Sequence, residues 1–371
     1  MSGHNAGQHV VNIVSMNPNK RGPVELQMAA VAKAWTATGG TSTCYFSQTA
    51  PDWFTQLMDG AGARLGVIDT SHWDREVLRI CAEEKPAIVH FHFGNHTVAS
   101  TLAKQGIVVV RSEHSQRAAM NLPALRVLVR WWRQRPVSAF ICVAEFIADQ
   151  TRRDFRAPEH KIKVVLNTTD LERFRPRPEQ RQGLREALNF QSDDIVITLA
   201  ANLIPRKRQR LLMEAMPHLL RTVPTAVAVL AGDGPDREEL TEYLRTADLG
   251  DRVRLLFGDN DVAELYAASD IAVLLSTGEG LPGGAIEALA CGLPLAATAA
   301  GGTAEVYEQG VSGVTISDDS PQGVAQVLAR LAGDAGLRAR MAVAARVRAE
   351  ALFGVDRAAR ETLAVYQDLL K

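Results

Sequence analysis

Residues 276–287 read STGEGLPGGAIE, Ser276 to Glu287. The apolar run Ile271–Leu275 before them is strand-like, and Ala285–Ala290 after them reads as a helix, so the stretch is a strand-to-helix turn. Gly283 and Gly284 fall at the expected helix start, where free backbone N–H groups and the positive dipole end hold a phosphate. Glycine there also removes the Cβ that would block close approach. Glu287 lies one helical turn further in, within reach of a diol such as ribose. Glu279 lies in the loop ahead, placed to meet a sugar hydroxyl. A carboxylate accepts strong hydrogen bonds from neighbouring hydroxyls. On spacing alone, a glycine-rich helix start with two surface glutamates is an equally good reading.

The same alternation continues on both sides. Asp194–Ala200, Ala226–Ala231, Val253–Phe257 and Leu295–Ala297 are strand-like and apolar on both faces, as buried parallel strands are. Upstream, His9–Met16, Ala87–Phe91, Ile107–Arg111, Ala139–Val143 and Ile162–Leu166 form a second series, with a helix expected over Val24–Thr38. Strands separated by helices predict βαβ units and parallel sheets. Residues 176–190, PRPEQRQGLREALNF, break the rhythm with prolines and charges and mark a domain boundary. Ligands of such sheets bind at the carboxyl ends of the strands.

Composition bounds the function. The 371 residues suffice for two α/β domains, and 46% hydrophobic with 22% charged residues excludes disorder. No apolar run has the ~20 residues of a membrane span, and MSGHNAGQ has no signal-peptide order. Four scattered cysteines without a CxxC suggest neither zinc nor disulfides, and a reducing cytoplasm is expected. Lys and Arg outnumber Asp and Glu by 24 to 17 over residues 1–190 and are outnumbered by 17 to 25 thereafter. The preferred explanation of the basic half is a phosphate-bearing ligand rather than nucleic acid.

The run EGLPGGAIEALACGLP, with two glutamates separated by seven residues, resembles the donor-site motif of the family 4 retaining glycosyltransferases. The resemblance continues in AAGGTAEVYEQGVSG with Gly301, Gly302 and Glu305, in AGDGP, in VRLLFGDNDVAELYAASD and in LNTTDLERFRP. It implies the α/β GT-B fold: two Rossmann-like parallel-sheet domains facing across a cleft, residues 1–182 for the acceptor and 183–352 for the nucleotide sugar, with a C-terminal helix, 353–371, returning to the first. Site roles are carried over residue by residue. The candidate catalytic residues are His114, Lys207 and Glu279, with Lys207 neutralising the diphosphate and Glu279 meeting the transferred sugar. Glu287 binds the ribose, and Gly280, Leu281, Pro282, Gly283 and Gly284 hold sugar and diphosphate. Gly22 and Pro23 form the N-terminal glycine loop, with Glu25 beyond it, and Glu25, His92 and Asn95 are acceptor-side candidates.

Three departures bear on that reading, one being Pro23 at the second position of the glycine loop. The family's usual arginine five residues before the phosphate lysine is here Asn202, which leaves Arg206 or Arg208, flanking Lys207, to replace the charge. The usual Asn-Gly pair closing the first domain is Asn167-Thr168.

The activity the resemblance implies is transfer of a hexosyl or N-acetylhexosaminyl group from a nucleotide-diphosphate sugar, UDP-linked, to a hydroxyl of a natural product, glycan or lipid-linked acceptor. Retention, no metal and no cofactor beyond the co-substrate are expected. Alternatives are a non-catalytic GT-B partner subunit, motivated by Asn202, or another GT-B enzyme such as a nucleotide-sugar epimerase. The sequence leaves oligomeric state open.

Three further signals have competing readings. Asp259-Asn260-Asp261 spells DxD, a metal string of another fold, but sits where an Asp is an ordinary N-cap. His90, His92 and His96 suggest a metal site with no firm third ligand, or a structural strand end. Leu125–Arg135, LRVLVRWWRQR, is a basic amphipathic stretch with Arg126, Arg130 and Arg133 on one face; peripheral membrane contact is one reading, and inward packing of Leu125, Leu128, Val129 and Trp132 is preferred.

Overall fold

In a computed structural model of the chain, the alternating runs form two all-parallel sheets. The structure describes residues 7–18, 22–93, 97–117, 129, 131–258 and 261–371. By contacts the chain divides into two units, residues 1–168 with 355–371, and residues 169–354.

The first unit's sheet has seven strands in the order β3-β2-β1-β4-β5-β6-β7. They are β1 His9–Val14, β2 Thr41–Phe46, β3 Ala63–Val67, β4 Ile88–His92, β5 Val108–Glu113, β6 Ala139–Cys142 and β7 Ile162–Val164. β1 is buried throughout, and Asn12 is the polar residue that interrupts it. Register sets Asn12 opposite His90, and His92 opposite Ser112. Polar side chains therefore gather at the carboxyl ends of the central strands.

The helix Pro23–Thr36 packs on this sheet through Met28, Ala29, Val31, Ala32 and Trp35. The C-terminal helix Val355–Leu369 belongs to the same unit and buries Ala358, Ala359, Thr362, Val365 and Tyr366. Trp35 and Tyr366 meet edge to face, ring centroids 5.8 Å apart. Such a pair adds about 0.5–1.5 kcal/mol beyond its burial.

The second unit's sheet has six strands in the order β10-β9-β8-β11-β12-β13. They are β8 Ile195–Ala200, β9 Ala226–Ala231, β10 Val253–Leu256, β11 Ile271–Leu274, β12 Leu295–Thr298 and β13 Gly313–Ile316. Leu199, Met213, Leu230, Val273 and Leu328 pack in one core. Helix Pro178–Ala187 lies in this unit and is tied to it by Arg181 and Arg185, which reach Asp270.

Both strand orders place a crossover beside the first strand of the sheet, the switch point where such folds bind ligands. The strands β2, β3 and β13 were not expected from sequence. β3 and β13 are edge strands, and glycine and polar residues weaken the pattern in all three. Among the described residues no helix is long and apolar enough to cross a membrane.

Candidate functional site

In the second unit, β11 leads into residues 275–282 and then the helix Gly283–Ala290. Pro282 is the N-cap and makes no side-chain cap bond, so the helix start offers its amides. The first intrahelical bond runs from Ile286 N to Pro282 O, 3.2 Å. Gly284 is closely packed: a Cβ there would stand 3.0 Å from the Ala200 carbonyl oxygen, tighter than ordinary contact, and 3.6 Å from the Tyr266 hydroxyl. Tyr266 also donates to the Gly284 carbonyl at 3.0 Å, fixing the first turn. Leu281 is buried, as are Gly280 and Pro282, and Glu287 is half-buried on the helix.

Glu279 is 6% exposed, which removes it from the class of surface glutamates. Lys207 Nζ lies 2.5 Å from its Oε1, and Arg206 Nη1 lies 3.1 Å from its Oε2. Arg206 also bonds the Gly278 carbonyl. Lys207 ends a short 3-10 turn, Pro205–Lys207, that follows β8. The two loops are stitched by the backbone, Thr277 N donating to Arg206 O at 3.0 Å, and Gly302 N donating to Glu279 O at 3.2 Å. The AAGG loop thus buttresses the glutamate. Ser276 Oγ, in the same turn, is buried and has no hydrogen-bond partner among the described residues.

Asn202 is exposed, and its carbonyl accepts from Gln209 Nε2 at 2.8 Å. Arg208 has left-handed backbone, φ 54°, and sends its guanidinium to Asp319 Oδ2 at 2.6 Å. Of the two arginines expected to flank Lys207, Arg206 is the one turned to Glu279. The structure therefore gathers Arg206, Lys207, Glu279 and the glycine helix start, with Glu287 on the following turn.

In the first unit, Gly22 is the N-cap and Pro23 the first residue of the helix Pro23–Thr36, with Glu25 buried in its first turn. His92 ends β4, and His114 follows β5. His92 Nδ1 and His114 Nε2 are 3.3 Å apart, and His92 Nε2 is 3.3 Å from Asn12 Oδ1. With Asn12 Oδ1 as acceptor, His92 carries its proton on Nε2 and accepts from His114 Nε2–H, which leaves His114 Nδ1 as an acceptor. Burial holds the His114 imidazole down at about 4 and pushes His92 well below the usual range, with His90 and His114 adding to the effect at His92. Both rings are neutral at pH 7.

Phe93, directly after β4, has φ 61° and stacks on His114 with centroids 4.4 Å apart. Such backbone in a bulky residue is strained and clusters at sites. The loop after His114 is pinned by Arg117, which meets Glu113 and Asp154 and lies 4.5 Å over the Phe155 ring.

His90 has a structural place, with Tyr366 Oη 2.6 Å from Nδ1 and Ser112 Oγ 2.8 Å from Nε2. Among the described residues no group of three or more His, Cys, Asp or Glu is set to hold a metal ion. Asp261 of the DxD string caps the helix Val262–Ala268, accepting from Ala263 N at 2.9 Å, and Asp259 and Asn260 lie outside the described residues. Asn95, His96 and, of the basic stretch, residues 125–128 and Arg130 also lie outside them. Within that stretch Val129 and Trp132 are 44% and 63% exposed. This corrects the expectation that they pack inward: both side chains are exposed. Asn12, Ser112, Tyr266 and Tyr366 were missed from sequence. Only Asn12, a polar residue inside an apolar strand, carried a signal.

Residues 62–173 match the family described as Glycosyltransferase Family 4, and residues 180–348 match Glycosyl transferases group 1. The chain is 29% identical over 307 residues to the D-inositol 3-phosphate glycosyltransferase of Streptomyces bingchenggensis, covering 76% of this chain and 67% of that one. It is 27% identical over 303 residues to the N-acetyl-alpha-D-glucosaminyl L-malate synthase of Bacillus anthracis, covering 80% and 78%. Anabaena HepE in complex with UDP superposes with a TM-score of 0.81 at 20% identity, over 97% of this chain and 100% of that one. Its likeness is one of fold, two Rossmann-like domains of the GT-B class. With matches over residues 62–173 and 180–348, the helix-start motif and that fold, the chain belongs to the family 4 glycosyltransferases.

Proposed function

We propose that the protein moves a hexosyl or N-acetylhexosaminyl group from a UDP-linked sugar to a hydroxyl of a small-molecule, glycan or lipid-linked acceptor, with retention at the anomeric carbon and without a metal ion or further cofactor. The observation that carries this reading is the buried Glu279 held by Lys207 beside the open amides of Gly283 and Gly284. UDP is the nucleotide bound in the HepE structure, which supports the choice of donor.

In this reading Lys207 and the helix-start amides take up the negative charge that grows on the diphosphate as the anomeric bond breaks. A fixed donor aimed at developing charge contributes about 3–4 kcal/mol to transition-state stabilisation. Glu287 grips the ribose, and Glu279 orients hydroxyls of the transferred sugar. The acceptor hydroxyl attacks from the face the diphosphate leaves, and its proton passes to the departing phosphate oxygen. The new glycosidic bond forms as the bond to phosphate breaks, so no covalent enzyme intermediate is required. In the first unit, Gly22, Pro23, Glu25, His92 and His114 are proposed as substrate contacts. Neutral His114, with Nδ1 as an acceptor, suits a sugar hydroxyl.

Purified protein titrated with UDP-glucose, UDP-N-acetylglucosamine and GDP-mannose tests the reading by calorimetry and by release of free nucleotide. Binding and slow hydrolysis of a UDP-sugar are expected. Binding without any hydrolysis or transfer supports the second reading, a non-catalytic subunit, which the neutral Asn202 favours. No binding of any donor contradicts both.

A further inference from the structure

We infer that Glu279 is an internal competitor of the donor's diphosphate, sharing with it one pair of cations, Arg206 and Lys207. The inference rests on the proposed donor site and adds to it the second cation and an exchange of partners.

Three observations carry it. The two oxygens of one buried carboxylate each meet a different cation, Lys207 at 2.5 Å and Arg206 at 3.1 Å. Both cations come from one short turn, Pro205–Lys207, whose backbone is bonded to residue 277 ahead of the carboxylate. The next residue, Arg208, is committed to Asp319, through Oδ2 at 2.6 Å and the carbonyl at 3.2 Å. The pair is therefore defined by geometry rather than by sequence proximity.

Charge sets the direction of the exchange. One carboxylate leaves this trio with a net positive charge, and a diphosphate brings more negative charge than the carboxylate it competes with. Arg206 presents a guanidinium that can pair two phosphate oxygens at once. As Arg206 and Lys207 turn to the diphosphate, the Glu279 oxygens lose their donors and become acceptors for sugar hydroxyls. A nucleoside diphosphate without a sugar exacts the loss of those ion pairs and returns no hydroxyls to the carboxylate. Nucleotide and nucleotide sugar should thus respond oppositely to removal of the Glu279 charge.

The test is calorimetry of UDP and GDP on the full-length protein at fixed ionic strength, with transfer or hydrolysis measured alongside. Glu279→Gln is expected to bind the nucleotide about three- to tenfold tighter than wild type, the scale of a partly screened ion pair removed from competition, while donor turnover falls. Arg206→Gln is expected to bind about tenfold more weakly, and Arg208→Gln within about twofold of wild type. Arg206 is half-exposed, so its variant tests the cation pair even where the buried substitution impairs folding. Equal or weaker binding by Glu279→Gln, or a larger loss in Arg208→Gln than in Arg206→Gln, overturns the inference while leaving the donor reading in place. Failure of wild type to bind either nucleotide removes the donor reading itself.

Discussion

The hydroxyl of Tyr366 lies 2.6 Å from Nδ1 of His90, joining residues 276 positions apart in the chain. Both are buried, and the contact fastens the C-terminal helix to the middle of the first sheet. Tyr366→Phe keeps the ring and its packing on Trp35 but leaves a buried nitrogen unpaired. A loss of roughly 1–3 kcal/mol is expected, seen as a lower thermal midpoint. An unchanged midpoint contradicts the role given to this bond.

The imidazoles beneath it make stability depend on pH. Burial lowers His90 to about 3 and His114 to about 4, with His92 also well below 6.5. Between those values and 6.5 the unfolded chain binds more protons than the folded one, so stability rises with pH across that window. Acidification from pH 7 to 5 is expected to lower stability by on the order of 1–2 kcal/mol for each such ring. His92→Asn should flatten the dependence of the thermal midpoint on pH. A slope as steep as that of wild type counts against the buried neutral ring.

Lys207 and Glu287 should separate by kinetics. Lys207→Met removes a charge that acts on the leaving group and is expected to lower kcat by about 10²–10³. Glu287→Gln removes a ribose contact present before and during reaction, so it raises KM by about tenfold with a smaller effect on kcat. Equal effects on both constants in the two variants contradict the division of roles.

Gly232 bears on the loop that presents Lys207. Its φ is 147°, and a Cβ there would stand 2.1 Å from the Ala201 carbonyl oxygen. Gly232→Ala therefore forces the chain after β8 aside, with an expected cost of about 1–3 kcal/mol and a parallel loss of UDP affinity. A variant with wild-type stability and binding shows that this close approach is dispensable.

Much of this was legible in the residues, for physical reasons. STGEGLPGGAIE announces a strand-to-helix turn because an apolar strand run precedes it and a helical run follows it, and the helix begins at Gly283. Ala226–Ala231 was legible to the residue because a strand buried on both faces reads as an unbroken apolar run. β3 was missed because it is an edge strand whose burial is partial. The ion pair of Lys207 with Glu279 spans 72 positions and leaves no local trace. The choice between Arg206 and Arg208 was open for the same reason: Asp319 lies 111 positions from Arg208. Local spacing leaves His90 and His92 open between a metal and a structural strand end, and the partner that decides for His90 is Tyr366, on a distant helix.

A crystal structure of the protein with UDP is the decisive measurement for a donor site built on Lys207, the Gly283 and Gly284 amides and Glu287. Expected are phosphate oxygens within hydrogen-bonding reach of Lys207 Nζ and of the Gly283 and Gly284 amides, with the ribose hydroxyls on the Glu287 carboxylate. UDP bound elsewhere, with none of these groups touching it, contradicts the account.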